Sequence, residues 1–375
     1  MLQTAPTSFL RRELLLLVAL VLVAAAAFFL TRWFADANAA QHRRDAAVWY
    51  ERGRAALQAG RAGDAVAALR RASRLDPRRR EIVFGLATAY ATTGEDGEAR
   101  RLLGGLRETS PEDAEVNLQL ARLEARGGDL TLATRYYHAA VDALWRVDQA
   151  ALRRPIRLEL IKLLLAHGDT GRALSEALRL TPDLPNTPEA RIEAGELFLA
   201  AGDAGRALAQ FTAALTAEPR NAAALAGAGR AAFAQGDYPR AQRYLAATPD
   251  ASPAVAEARQ LTELVLRSDP LAPRLSRRER IDRLSMDLAQ AEQRVAACST
   301  SMRDSGRDNA ELASSLDQMN AVSATLGGAV DAEAIESGAE LAYRAVRRAA
   351  ESCPPPTAFD RALLLIGRAH GFEGS

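Results

Sequence analysis

Apolar positions divide the chain into three regimes. The first is an unbroken apolar run, Leu14–Leu30, within RRELLLLVALVLVAAAAFFLTRWF (11–34). Its 17 residues sit at the short end of what a membrane-spanning helix needs. Trp33 and Phe34 follow it, where an aromatic belt at a membrane interface belongs. The second regime, roughly 46–250, spaces its apolar and small residues for helices and breaks them at regular intervals with Gly and Pro. The third, beyond the break DPLAPRLS (269–276), carries apolar residues alternately three and four apart over longer stretches.

Two readings of the N-terminal run stand side by side. One is an uncleaved anchor. The other is a signal peptide cleaved at ADANAA (35–40), whose small residues form an A-x-A pattern. The length of the run favours the anchor, since a cleavable apolar region is usually shorter. No polar residue interrupts it, which speaks against a soluble core helix. Counting charges does not decide orientation, because Arg11 and Arg12 precede the run while Arg32, Arg43 and Arg44 follow it. A short head ending in Arg-Arg resembles an export signal, which favours a body outside the cytoplasm, periplasmic in a bacterial cell.

The middle regime repeats a phrase. QAGRAGDAVAALRRASRLDP (58–77) returns as AAGDAGRALAQFTAALTAEP (200–219). Aligned on the glycine before each Ala-rich helix, six copies share a 34-residue register. The first has Trp49, Gly53, Ala56, Gly60, Ala65, Leu69, Ala72 and Pro77; the second has Leu86, Ala87, Tyr90, Gly94, Ala99, Leu103 and Pro111. The third has Leu120, Ala121, Gly128, Ala133, Tyr137 and Ala140. After an insertion near Asp148–Arg153, the fourth has Leu164, Gly168, Ala173, Ala177 and Pro185. The fifth has Ala194, Gly195, Phe198, Gly202, Ala207, Phe211, Ala214 and Pro219, and the sixth Gly229, Gly236, Ala241 and Leu245. The physics is that of paired antiparallel helices. Small residues let the two backbones approach, glycine makes the turn, and proline ends the second helix.

Over 46–250 this pattern resembles the tetratricopeptide repeat family, W-x2-L-G-x2-Y, then A-x3-F, then P. Departures are Arg52 in the first copy, Trp145 in the third, and Ile161 with Pro155 in the fourth, which makes the fourth copy the expected place for irregular packing. The resemblance implies a right-handed solenoid of about six helix-turn-helix repeats; with the apolar N-terminal run and the stripes of the third regime, the expected fold is all-α, with an N-terminal transmembrane helix, the solenoid, and a C-terminal helical bundle or cap. It also implies that the first helix of each repeat lines a concave groove. The ninth position of successive copies reads Arg54, Thr88, Arg122, Lys162, Glu196 and Arg230. Such a row is expected to receive a carboxylate, as from a peptide C-terminus or an acidic stretch. The alternative is internal pairing, since Glu51 stands three residues before Arg54 and Glu159 three before Lys162. Tyr50, Phe84, Leu118, Leu158, Ile192 and Phe233 are the expected apolar contacts.

In the third regime Ala254–Arg267 reads as one more solenoid helix. Ile281, Leu284, Leu288, Ala291, Val295, Cys298 and Met302 then form a heptad-like stripe on one long helix. A second helix is expected over Asn309–Leu326, with Leu312, Leu316, Met319 and Leu326 inward. A third is expected over Asp331–Ser352, with Ile335, Ala339, Ala342, Val346 and Ala349 inward. After the break PPPT (354–357), Thr357 and Asp360 cap a last helix over Phe359–Ala369. The expected domains are a head at 1–10, the anchor at 11–34, a linker at 35–45, the solenoid at 46–268, a linker at 269–276 and a helical module at 277–375. Cys298 and Cys353, the two cysteines, both lie on apolar stripes, which suits either a disulfide or two separate buried thiols. The disulfide agrees with an exported body.

Composition narrows the function. Ala, Leu, Arg and Glu dominate and aromatic residues are 5%, a mix that favours helix. Forty-eight basic residues, of which Lys162 is the single lysine, balance 47 acidic ones, so the net charge is +1 and no nucleic-acid field is expected. The sequence holds no P-loop, dinucleotide glycine motif or C-x-x-C pair, and His42, His138, His167 and His370 have no metal spacing. Cys353 with His370 lacks an orienting third group. Glu112 and Asp113 read as helix-start charges. No enzyme, cofactor, metal or small-molecule substrate is expected. The reading is a membrane-anchored scaffold or adaptor that recruits proteins, in envelope assembly, secretion or cytochrome maturation by analogy with tethered members of the family. Its alternatives are a permanent accessory subunit of a membrane complex and an envelope chaperone for exported clients. Its partners are other proteins, and the lipid bilayer through residues 14–30.

Overall fold

A computed structural model describes residues 7–143, 151–249, 252–306, 310–328, 330–353 and 355–372. The fold is all-α, with seventeen α-helices and no strand among the described residues. Trp145, Asp148, Asn309 and Pro354, singled out in the sequence, lie outside the described residues.

Helix α1 is a single rod of 52 residues, Thr7–Gln58. It runs without a break through 35–45, where the sequence leads one to expect a linker. The reason is local. No Gly or Pro occurs between Thr7 and Arg52, and alanine is frequent in the stretch. Side chains one turn apart also pair across it: Gln41 donates to Asp45 at 3.1 Å, and Arg32 lies 4.0 Å from Asp36. Around Leu14–Leu30 the large apolar side chains are bare; Phe29 is 68% exposed. This helix is long and apolar enough to cross a membrane.

The chain divides into two compact units, Met1–Leu163 and Leu164–Ser375. The division falls inside α7 (Arg153–Ala166), the first helix of the fourth copy. Pro155 sits in the first turn of α7, where its missing N–H costs no helical bond, and Ile161 is fully buried.

In the first unit α1 is followed by α2 (Ala62–Leu75), α3 (Arg80–Thr93), α4 (Asp96–Thr109), α5 (Ala114–Gly127) and α6 (Leu130–Asp142). Each packs on its chain neighbours. Gly94 and Gly128 end α3 and α5 at φ of 83° and 82°, a left-handed conformation that side chains resist. Asp113 caps α5 by accepting from the backbone N–H groups of Glu115 and Val116, both at 3.1 Å. Leu69, Leu86, Ala87, Ala99, Leu103 and Leu120 are buried together. A Cβ on Gly53 would fall 2.5 Å from the Leu69 side chain, so any other residue there would push α1 and α2 apart or displace Leu69. Between the second and third copies lies Asn117, fully buried. Its amide donates to the carbonyls of Pro111 and Asp113 at 2.9 Å and accepts from Arg107 at 3.0 Å, which leaves no polar atom of that side chain unpaired.

In the second unit α8 (Thr170–Leu180), α9 (Pro188–Ala200), α10 (Ala204–Ala217), α11 (Ala222–Ala234), α12 (Tyr238–Ala246) and α13 (Pro253–Ser268) come first. Phe211 of α10 is fully buried between Gly195 of α9 and Gly227 of α11. After the non-helical stretch 269–276, a capping box of Ser276 and Glu279 starts α14 (Arg277–Asp304). Then come α15 (Ala310–Thr325), α16 (Ala332–Ser352) and α17 (Ala358–Ala369), the last opened by a capping box of Thr357 and Asp360. Leu284, Leu288, Val295, Met319, Ala342 and Val346 share one core. A disulfide joins Cys298 to Cys353 with Cα atoms 5.8 Å apart. Helix α17 packs on α13 as well as on α16.

Candidate protein-docking groove

Four helices of the first unit, α1, α3, α5 and α7, line an open groove made of two adjoining depressions. One, of about 360 Å³, is walled by Tyr50, Arg54, Leu57, Arg80, Phe84 and Thr88. The other, of about 350 Å³, is walled by Phe84, Leu118, Gln119, Arg122, Ile156 and Glu159. Phe84 and Glu115 line both. The periodicity explains the alignment: Tyr50, Phe84 and Leu118 are 34 apart, so they occupy one place on three successive first helices.

The charged residues of the groove are matched within the fold. Arg122 engages Glu159 with two parallel bonds of 2.9 Å, Nε to one carboxylate oxygen and Nη2 to the other. The Tyr137 hydroxyl also donates to Glu159, at 2.6 Å. Burial pushes the Glu159 carboxyl up, but the hydrogen bonds from Arg122 and Tyr137 outweigh it and hold the group below its usual range. Burial, then the neighbouring Glu159 carboxylate, push the Tyr137 phenol up. Arg54 pairs with Glu51 at 2.7 Å one turn away, and Arg80 reaches Asp113 at 2.7 Å and Glu115 at 2.9 Å on the next repeat. An incoming carboxylate would therefore have to displace a resident one.

The expected residues divide by place. Tyr50, Arg54, Phe84, Leu118 and Arg122 line the groove together. Leu158 is only 8% exposed and belongs to the core, not to the groove wall. Lys162 is exposed, and Glu159, three residues earlier, turns away from it to Arg122, whose planar fork fits a carboxylate better. In the second unit, Ile192 and Arg230 are half-buried, and Arg230 pairs with Glu196 one repeat back. Phe233 packs edge-on against Tyr238, with ring centres 5.8 Å apart, in a cluster with Val265, Ala362 and Ile366. It is thus spent on internal packing. The sequence reading missed Glu115, Gln119, Leu152 and Ile156. For Glu115 a signal existed, because Glu81 and Glu115 stand 34 apart, one turn before Phe84 and Leu118. Leu152 and Ile156 follow the insertion, which breaks the register. Cys353 is committed to the disulfide, and His370 lies 3.1 Å from both Asp269 oxygens. The two do not form a nucleophile and base.

Tetratricopeptide repeat models match residues 56–123 and 198–274, and a second one matches 23–78. No curated protein matches the chain. Several solved structures are similar to it. PilF of Pseudomonas aeruginosa is 17% identical over 55% of this chain and 91% of its own, with a TM-score of 0.40. PilW, described as a widely conserved type IV pilus biogenesis factor, is 19% identical over 56% and 96%, with a TM-score of 0.40. The C-terminal part of a repeat-containing protein from Cytophaga hutchinsonii is 13% identical over 63% and 92%, with a TM-score of 0.45. The chain thus carries tetratricopeptide repeats over the matched segments, 23–123 and 198–274.

Proposed function

We propose that the protein is a membrane-anchored, non-catalytic scaffold that recruits a partner protein through the groove of its first unit. The observation that carries the reading is the continuity of the two depressions across α1, α3, α5 and α7. Their walls join apolar patches (Tyr50, Phe84, Leu118, Ile156) to ion pairs already balanced, which suits an extended or helical segment with apolar anchors. The apolar span of α1 holds the scaffold in the bilayer. The Cys298–Cys353 disulfide supports a body outside the cytoplasm, in the oxidising compartment where such bonds persist. A role in envelope assembly or secretion follows from that placement.

The test is a photo-crosslinking amino acid placed at Phe84 or Leu118 of the full chain in its native membrane, with Arg101 as control. The Arg101 side chain is 67% exposed on α4. Discrete adducts from the two groove positions, with those from position 84 lost in Leu118→Asp and none from position 101, are the expected result. Equal labelling from all three positions, or none from the groove, rejects the reading.

A further inference from the structure

The chain is nearly neutral as a whole, but its charge is unevenly placed. Residues 41–80 carry eleven arginines against four carboxylates, a net charge of +7, while 81–143 carry a net charge of −5. Within 41–80, Arg54, Arg61, Arg79 and Arg80 have carboxylate partners, and Arg70 donates to the Tyr90 hydroxyl. Arg43, Arg44, Arg52, Arg71, Arg74 and Arg78 have no carboxylate within 4.0 Å among the described residues. Two of these six bracket one ring: the guanidinium carbons of Arg52 and Arg71 lie 4.8 and 4.6 Å from the centre of Trp49. Beside the ring, α1 and α2 leave a cleft of about 450 Å³, lined by Trp49, Arg52, Arg61, Asp64, Arg71 and small alanines. Val48, next to Trp49, is 67% exposed.

We propose that this outer edge of the first hairpin is a second docking surface, and that its occupant is an acidic segment of a partner protein. Carboxylates of the segment pair with Arg52, Arg71 and Arg74, and an apolar side chain between them lies against Trp49 and Val48. Charge alone would equally draw an anionic lipid surface, and the helix geometry decides between them. Since α1 is unbroken, Arg43 stands about 20 Å and Trp49 about 28 Å past Leu30, at about 1.5 Å per residue. A headgroup layer fills only about 5–8 Å of that, and salt screens charges beyond about 8 Å. A tilt of about 40° still leaves Trp49 roughly 22 Å out. The choice of occupant rests on the anchored reading of α1; the presence of the surface does not.

The test uses the full chain in nanodiscs of zwitterionic lipid and a fluorescein-labelled 12-residue peptide of glutamates around a central leucine. Saturable 1:1 binding is expected, weakened roughly tenfold or more by Arg52→Glu with Arg71→Glu and likewise by Trp49→Ala. Arg52→Lys with Arg71→Lys keeps most of the binding, and Leu118→Asp, in the other groove, leaves it unchanged. Circular dichroism confirms that each variant is folded. Equal binding by the charge-reversed and parent chains overturns the proposal. So does loss of peptide binding when anionic lipid is added to the nanodisc, which gives the surface to lipid. A shift of the chain to a defined oligomer that Arg52→Glu dissolves gives it to a second copy and also overturns the proposal. Failure of the anchor reading is seen separately, as a chain that carbonate extracts from membranes.

Discussion

Phe211 shows how much one position demands of its neighbours. A Cβ on Gly195 would lie 2.7 Å from its ring, and one on Gly227 closer still. Gly195 was legible in the sequence because the repeat register marks it as a small position. Gly227 was not, because its role comes from the next repeat leaning on the ring. Gly227→Ala is therefore expected to overpack the site and lower stability by about 1–3 kcal/mol, read as a fall in the urea midpoint at constant slope. Asp287 of α14 is the second such residue, only 2% exposed. Burial, then the charge of Asp269, push its carboxyl up to about 8. The fold holds this proton after the unfolded chain has released it, so stability falls as pH rises from about 4 to about 8. Asp287→Asn should flatten that slope and raise stability at pH 8 relative to the parent; urea titrations at pH 5 and pH 8 compare the two. An Asp inside a polar stretch of sequence gives no sign that α13 and α14 will enclose it.

Among the elements, helix positions and inward stripes were readable wherever periodicity was long. The stripe from Ile281 to Met302 became α14, with Leu284, Leu288, Ala291, Val295 and Cys298 buried. The partners of those stripes were not readable. Arg294 is an example: Nε donates to Asp360 at 2.8 Å and Nη2 to the Cys353 carbonyl at 2.6 Å, which ties α14 to the turn before α17. Asp360 is fully buried, and its carboxylate also accepts from the Thr357 N–H at 2.8 Å. The cap at Thr357 could be read locally, while the arginine that it shares comes from 66 residues away. The disulfide closes the same junction over a separation of 55 residues. Replacing both cysteines with serine should cost about 4 kcal/mol by loop-closure entropy, measured by denaturant unfolding of the oxidised parent against the variant. Residues 35–45, expected as a linker, are part of α1, and the one-turn spacing of their charged side chains supports helix.

At the scale of the molecule, the repeat register carried most of the fold, and five of the ten expected groove residues line the two depressions. Periodicity assigned Tyr50, Phe84 and Leu118 to one line, and the structure collects them around shared depressions. The sequence reading put Leu158 and Phe233 in the same class, although Phe233 stands seven residues past the register position, Ala226. At Leu158 the insertion has shifted the register, and at Phe233 Tyr238 and α17 lie close enough to claim the ring. Register describes a helix face; it does not say what else will pack there. The groove crosslinks described above test the first unit at this scale, and they should survive removal of the disulfide, which lies in the other unit. On the anchored reading proposed above, the unbroken α1 also acts as a gear between the bilayer and the groove. Each residue added within 35–45 lifts the first hairpin by about 1.5 Å and swings it by about 100°. Two extra residues would turn the groove mouth to nearly the opposite compass bearing. Seven would restore its bearing while raising it by about 10 Å.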